Sequence, residues 1–106
     1  MVRHEPNARF HLLASVLVCV LGFVCGLKPW EWLAIMLAIG LVWTAEAMNS
    51  AVEALGDCIT AEPHPGIGRA KDLAAGAVLL ASFAAVGVGL IVFVPEMLKV
   101  MGWLFD

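Results

Sequence analysis

The chain has 106 residues, of which 62% are hydrophobic and only 14% charged, and its net charge is −3. This balance excludes an ordinary water-soluble domain, in which about a quarter of residues are charged. The mean hydropathy of +0.95 indicates a membrane protein. A spanning helix needs about 20 apolar residues, so the chain has room for three spans and no separate soluble domain. No basic run predicts a nucleic acid partner.

The first predicted span covers residues 10–27. Arg9 precedes this run, and His11 is its one ionisable exception near the start. The run would form about 27 Å of helix, which is enough to cross the hydrocarbon core. Gly22 and Gly26 form a GxxxG pattern that allows helices to approach closely, although the pattern is also common by chance.

The second predicted span covers residues 30–52 and follows a short turn. Lys28 ends the first apolar run, and Trp30 and Trp32 follow on either side of Glu31. This mixture of aromatic and polar residues is typical of a membrane surface. Because the turn is short, the first two helices are expected to be antiparallel neighbours.

The C-terminal part of the second helix carries an acidic edge made of Glu46, Asn49, Glu53 and Asp57. At about 100° per residue these positions fall within roughly 60° of one another, so they share one helix face. A carboxylate at mid-bilayer costs roughly 2.5 to 3.5 kcal/mol on insertion scales, and an ionisable group there indicates function. Glu46 would lie about 24 Å along the helix, close to the far membrane surface.

A cluster of helix-breaking residues predicts a loop over residues 56–72. Pro63, Pro65, Gly66 and Gly68 interrupt the helical pattern there. The predicted loop also carries ionisable side chains, which are Glu62, His64, Arg69, Lys71 and Asp72.

The third predicted span covers residues 73–94, an uncharged run of about 33 Å of helix. Its many Ala and Gly residues favour close packing inside a bundle. Pro95 is predicted to end this helix, and Met97 and Trp103 suggest a tail along the interface with Lys99 facing water. The predicted fold is an all-α membrane protein with three transmembrane helices per subunit, forming a single domain over residues 1–106.

The distribution of Lys and Arg predicts the orientation of the chain. The N-terminal segment and the 56–72 loop hold two each, whereas the 28–32 turn and the C-terminal tail hold one each. This excess places the N-terminus and the loop on the cytoplasmic side of a bacterial inner (plasma) membrane. Polar residues then converge on that side: Glu5, Glu46, Asn49, Glu53, Asp57, Glu62, His64, Lys71 and Asp72.

Several carboxylates and one Lys at a cytoplasmic surface suit Mg²⁺ and phosphate. Mg²⁺ takes oxygen ligands, often one or two carboxylates together with phosphate oxygens. Phosphoryl transfer needs in-line positioning, charge neutralisation and an acceptor for the proton of the attacking hydroxyl. A Glu at the lipid boundary fits this last role. No GxxxxGK[ST] phosphate loop occurs, so these residues alone do not specify ATP.

Other functions stay open at this point. The acidic edge is also typical of a solvated cytoplasmic extension of a membrane helix. A membrane carboxylate could couple proton or cation movement in a small oligomeric transporter, although such a group is expected near the midplane. A non-catalytic membrane partner of a larger complex is a third alternative. The clustering of acids at one interface argues against the transporter.

Two short motifs stand on the predicted cytoplasmic side, separated by further polar residues. They are Glu46-Ala-Met-Asn-Ser-Ala-Val-Glu53, then Asp57 and Glu62-Pro-His64, then Arg69-Ala-Lys-Asp72. In sequence and separation they resemble the small prokaryotic diacylglycerol kinase and undecaprenol kinase family. Glu5 with Arg9 resembles the acidic and basic pair before the first span of that family. The resemblance covers nearly the whole chain.

The resemblance implies a homotrimer in which a neighbouring subunit completes each active site. The implied reaction moves the γ-phosphate of ATP to a membrane lipid alcohol, giving phosphatidic acid or undecaprenyl phosphate. Glu46 would be the catalytic base, and Glu5 and Glu53 the Mg²⁺ ligands. Residues implied to bind the nucleotide or its phosphates are Arg9, Asn49, Glu62, His64, Lys71 and Asp72; supporting residues are Ser50 and Asp57. The Ala-Gly-Ala-Val-Leu run after Asp72 slightly favours undecaprenol as the acceptor.

Overall fold

The computed structural model describes residues 6–105, with side chains from 9 to 104. This part of the chain forms three α-helices: α1 (Pro6–Cys25), α2 (Pro29–Ile59) and α3 (Pro65–Phe105). Each helix packs antiparallel to the next, giving a bundle 63 Å long and 23 by 22 Å across. The all-helical fold predicted from the sequence is confirmed.

The turn between α1 and α2 depends on two glycines. Gly26 has a φ of +66°, and the N–H of Leu27 donates to the carbonyl of Gly22 at 3.2 Å, which closes α1 with a Schellman motif. Gly22 is buried, and a Cβ there would lie 2.7 Å from the Trp32 side chain. The GxxxG pattern therefore serves a turn and a close approach to Trp32 of the same chain.

Gly26→Ala should destabilise the protein by about 1–2 kcal/mol, because a Cβ is disfavoured in the left-handed region. Gly40 offers a matched control, since it lies inside α2 with no neighbouring atom within 4 Å of an added Cβ. Gly40→Ala should be neutral or slightly stabilising, by about 0.5–1 kcal/mol. Thermal unfolding in detergent compares the two variants, and equal midpoints would contradict the role of Gly26.

The start of α2 buries an acid that the sequence pattern placed at a membrane surface. Glu31 is only 3% exposed, and its carboxylate accepts a hydrogen bond from the Lys28 N–H at 2.9 Å. This bond satisfies one of the backbone donors that a helix leaves free at its N-terminus. Trp30 is exposed and Trp32 half-buried. Glu31 therefore stabilises the helix start.

The connection between α2 and α3 is residues 60–64, much shorter than the predicted loop 56–72. Pro65 is the first residue of α3, a position where a missing N–H does no harm. His64 Nδ1 accepts hydrogen bonds from the N–H groups of Gly66 and Ile67 at 3.1 and 3.2 Å. Because His64 caps the helix, Gly66 and Gly68 can lie within its first turns.

The prediction that Pro95 ends the third helix was wrong, because α3 continues through it to Phe105. A proline inside a helix removes one hydrogen bond and crowds the preceding turn, at about 3 kcal/mol. Buried side chains on both sides, Val92, Phe93 and Glu96, hold the helix together at this point. The predicted interfacial tail is therefore the last part of α3.

The buried core of the described chain is small, and most large apolar side chains are exposed. Leu27, Ile35, Val92 and Phe93 form its main cluster at the end near the α1–α2 turn. Two helices, α2 and α3, are long and apolar enough to cross a membrane, whereas the apolar part of α1 spans Arg9–Cys25 and is shorter. Exposed apolar surface on this scale indicates that lipid or further protein covers the bundle.

Candidate active site

The polar residues singled out in the sequence lie at the end of the bundle opposite the α1–α2 turn. Glu46 is 5% exposed, and its Oε1 lies 3.2 Å from Nε2 of His11 on α1. In the tautomer that carries its proton on Nε2, the imidazole donates this bond to the carboxyl oxygen. The acid therefore faces into the bundle, towards α1.

A second polar contact joins α1 and α2 one turn away from this pair. The indole N–H of Trp43 donates to Ser15 Oγ at 3.1 Å, and the Ser15 hydroxyl donates to the carbonyl of His11 at 2.7 Å. The Trp43 ring also meets the His11 ring edge to face, with centroids 6.3 Å apart. His11 is thus held from its backbone and from its ring.

Further along α2, two acids of the predicted edge meet the amine of Lys71 on α3. Lys71 Nζ donates to Asp57 Oδ1 at 2.7 Å and lies 3.5 Å from Glu53 Oε2. Gly56 permits this contact, because a Cβ there would lie 3.0 Å from Lys71 Cε. The structure therefore brings Glu53, Asp57 and Lys71 together at this end of the bundle.

Lys71 precedes the uncharged run of residues 73–94 and so lies outside the membrane-spanning segment. The hydrogen bond to Asp57 raises the pKa of Lys71 above its ordinary value, and the charge of Glu53 acts in the same direction, while desolvation partly opposes both. A raised pKa keeps the amine protonated throughout the neutral range. The site therefore contains a cationic amine, which in this structure is paired with Glu53 and Asp57.

Asn49 and Ser50 lie between Glu46 and the Lys71 cluster. Asn49 Oδ1 and Ser50 Oγ are buried and have no hydrogen-bond partner within the described chain. Leaving such an atom unsatisfied costs about 1–3 kcal/mol, so a bound group or another subunit is expected to satisfy it. The amide oxygen of Asn49 is therefore available to a ligand.

The residues present fit a Mg²⁺ ion. Glu53, at the water-facing end of α2, is half-exposed and offers carboxylate oxygens, the atoms that this ion prefers. Among the described residues, no three His, Cys, Asp or Glu side chains converge into a closed metal site. Mg²⁺ usually keeps waters and substrate phosphates in its coordination shell.

The other predicted nucleotide-binding residues surround this end of the bundle without contacting Lys71. Arg9 and Asp72 are exposed, and Glu62 lies exposed in the connection, where its N–H donates to Thr60 Oγ1. His64 uses Nδ1 to cap α3. Glu5 lies outside the described residues.

An apolar cavity of about 320 Å³ lies among the three helices, and the sequence pattern did not indicate it. Its lining includes His11 and Trp43 at the end nearest Glu46. The remaining lining residues are mostly apolar or small: Phe10, Ala14, Ser15, Val18, Ala38, Ile39, Val42, Ser82, Ala85, Val86 and Gly89. His11 was visible in the sequence as an isolated ionisable residue, but its partner on α2 depends on the packing.

Fold and site together define a small helical membrane protein with a carboxylate-lysine cluster at one end of the bundle and an apolar cavity among its helices. The family model described as prokaryotic diacylglycerol kinase matches residues 1–93. The chain belongs to this family, whose members are lipid kinases.

Individual relatives are consistent with this assignment. The chain is 39% identical over 95 residues to the undecaprenol kinase of Bacillus subtilis, covering 90% of this chain and 77% of that protein. It is 34% identical over 98 residues to the diacylglycerol kinase of Synechocystis sp., covering 92% of this chain and 56% of the relative. The diacylglycerol kinase of Escherichia coli is 39% identical over 75 residues, covering 71% and 58%. The chain thus spans little more than half the length of these two diacylglycerol kinases.

Proposed function

We propose that this lipid kinase transfers the γ-phosphate of ATP to the hydroxyl of a membrane lipid alcohol at the cytosolic membrane surface. The observation that carries the proposal is the position of Glu46. Glu46 is buried against His11, which lines the apolar cavity, and the Lys71 cluster begins about 10 Å further along α2. A proton acceptor next to the lipid and a cation towards water are the two components that this transfer needs.

The length of α2 supports the proposed depth of the site. If Pro29 lies at one membrane surface, Glu46 is about 26 Å away along the helix axis and Glu53 about 36 Å. A hydrocarbon core of about 30 Å then leaves Glu46 at its inner edge and Glu53 in water. In this arrangement all three helices span the inner membrane, and the excess of Lys and Arg places the N-terminus in the cytoplasm.

The acceptor lipid would place its apolar chain in the cavity and its hydroxyl at Glu46. The free carboxylate oxygen of Glu46 takes the hydroxyl proton as the lipid oxygen attacks the γ-phosphorus. An oxygen–phosphorus bond forms to the lipid, the bond from the γ-phosphorus to the bridging oxygen breaks, and ADP leaves. Water then removes the proton from Glu46. Undecaprenol is the preferred acceptor in this proposal, because the undecaprenol kinase relative is matched over most of its length.

The donor nucleotide would bind at the water-facing end of the bundle. Lys71 and the side-chain amide N–H of Asn49 donate to its phosphates, with Asp57 holding the Lys71 amine in place and Ser50 supporting the same turn of α2. Nucleoside contacts are assigned to exposed residues around the site: Arg9, Glu62, His64 and Asp72. Mg²⁺, held by Glu53 together with Glu5, would neutralise charge on the phosphates when bound.

A homotrimer would complete the site. The large exposed apolar side chains of α1 and α3 leave room for contacts with neighbouring subunits as well as with lipid. The unpartnered atoms of Asn49 and Ser50 are consistent with groups supplied by a neighbour or a ligand. The family resemblance supports active sites shared between subunits.

The proposal is tested with purified protein in detergent micelles, γ-labelled ATP, Mg²⁺ and one lipid alcohol at a time. Undecaprenol and diacylglycerol are compared with triacylglycerol, which has no free hydroxyl. Label is expected in the lipid extract with undecaprenol or diacylglycerol and not with triacylglycerol. Absence of labelled lipid with both alcohols, from protein that is folded and oligomeric, would refute the proposed reaction.

A further inference from the structure

We infer that His11 is a positioning residue for the proton acceptor, holding one oxygen of Glu46 so that the other faces the acceptor hydroxyl. The inference rests on the proposed function and extends it to a residue that neither of the two sequence motifs contains. It is carried by the contact between His11 Nε2 and Glu46 Oε1, 35 positions apart in the chain.

The environment of the pair leaves few other ways to orient the acid. The Glu46 side chain is 7% exposed and that of His11 18% exposed, so water reaches the carboxylate poorly. Within the described chain, His11 is the one side chain that hydrogen-bonds Glu46. A donor aimed at Oε1 fixes the rotation of the carboxylate plane, which leaves Oε2 as the free proton acceptor.

His11 is itself held in place, as a positioning residue must be. Ser15 and Trp43 form a hydrogen-bonded chain that ends on the carbonyl of His11, and Trp43 lies one turn before Glu46 on α2. In the described part of the chain, polar side chains join α1 to α2 at two contacts, His11–Glu46 and Ser15–Trp43. Both lie beside the apolar cavity, so they position the acid where an acyl or prenyl chain would emerge.

The chemical role is limited to a hydrogen bond. His11 keeps its Nε2 proton throughout, while Glu46 gains the hydroxyl proton on its other oxygen and later releases it to water. Loss of a supporting hydrogen bond of this kind typically lowers activity about 10- to 100-fold. The loss should appear in kcat, because His11 contacts neither the nucleotide nor the metal in this arrangement.

The test compares His11→Leu with His11→Gln in the labelled-ATP assay. Leu keeps the bulk and removes the donor, whereas the amide nitrogen of Gln can stand where Nε2 stood. His11→Leu should lower kcat about 10- to 100-fold with an unchanged KM for ATP, and His11→Gln should recover most of the rate. If His11→Leu does not fold, His11→Gln is compared with His11→Ala instead. His11→Gln should then keep most of the transfer rate, because its amide can donate to Glu46. An equal loss of rate in His11→Gln and His11→Ala would overturn the inference.

A double variant separates positioning from packing. If His11 acts through Glu46, His11→Leu should not slow further the residual reaction of Glu46→Gln, because the two residues work as one unit. Independent losses that multiply would overturn the inference and indicate a packing role. Wild-type protein without any transfer would instead refute the proposed function, and a Glu46→Gln variant with the wild-type rate would refute Glu46 as the proton acceptor.

Discussion

Replacing Glu46 with Gln should lower the rate of phosphate transfer from ATP to the lipid about 10²- to 10⁴-fold. The amide has nearly the same shape as the carboxylate and can still pair with His11, but it cannot take the proton of the lipid hydroxyl. Folding and oligomer formation should be unchanged, because the packing of α1 against α2 is kept. Single-turnover transfer of labelled phosphate, with size-exclusion chromatography of the same sample, measures both quantities.

Glu96→Gln is the matched control for this substitution. Glu96 is also buried, at 8% exposure, but it lies at the other end of α3, where Lys99 Nζ is 3.7 Å away. Its amide variant should keep the transfer rate, even if some stability is lost. If Glu46→Gln keeps the wild-type rate, or if both variants lose it equally, Glu46 is not the proton acceptor.

Glu53→Gln should raise the Mg²⁺ concentration needed for half-maximal activity at least about 10-fold, and should also lower the maximal rate. The neutral amide is a poorer ligand than a carboxylate for a hard divalent cation. Glu53 reaches the Lys71 amine at 3.5 Å and is only half-buried, so it can turn towards an ion in the water-filled part of the site. Activity measured as a function of Mg²⁺ at saturating ATP tests this.

Asp57→Asn is the control for Glu53→Gln, because it removes a contact with Lys71 without removing the proposed metal ligand. Asp57 makes the shorter contact with the same amine, at 2.7 Å, but stands one turn further from Glu46. Its variant should weaken ATP binding through Lys71 while leaving the Mg²⁺ midpoint unchanged. A Glu53→Gln variant with a wild-type Mg²⁺ titration would remove Glu53 from the metal site.

Local sequence patterns were sufficient for the helices and for the acidic edge of α2. Long apolar runs must form helices in a membrane, because unpaired backbone groups are too costly there. Spacings of three and four residues along a helix put Glu46, Asn49, Glu53 and Asp57 on one edge whatever the helix packs against. Lys71 was selected for its charge, and the structure places it against two of these acids.

The predictions at Pro65 and Pro95 depended on context that the pattern does not contain. Proline both starts and interrupts helices, and the outcome depends on which neighbours supply caps or packing. His64 caps the helix that Pro65 begins, and buried residues on either side of Pro95 keep α3 continuous. The predicted tail and residues 65–72 of the predicted loop therefore belong to α3, and residues 56–59 of that loop belong to α2.

The amino-acid sequence by itself determined that this is a helical membrane protein with an acidic edge on α2, since both follow from composition and from a helix repeat that acts over a few residues. Tertiary structure alone decided that His11 meets Glu46 and that a cavity lies among the helices. A hydrogen bond between residues 35 positions apart depends on the register in which α1 and α2 pack. That register is set jointly by the turn at Gly26, the Trp43–Ser15 contact and the apolar faces, and no single stretch of sequence contains it.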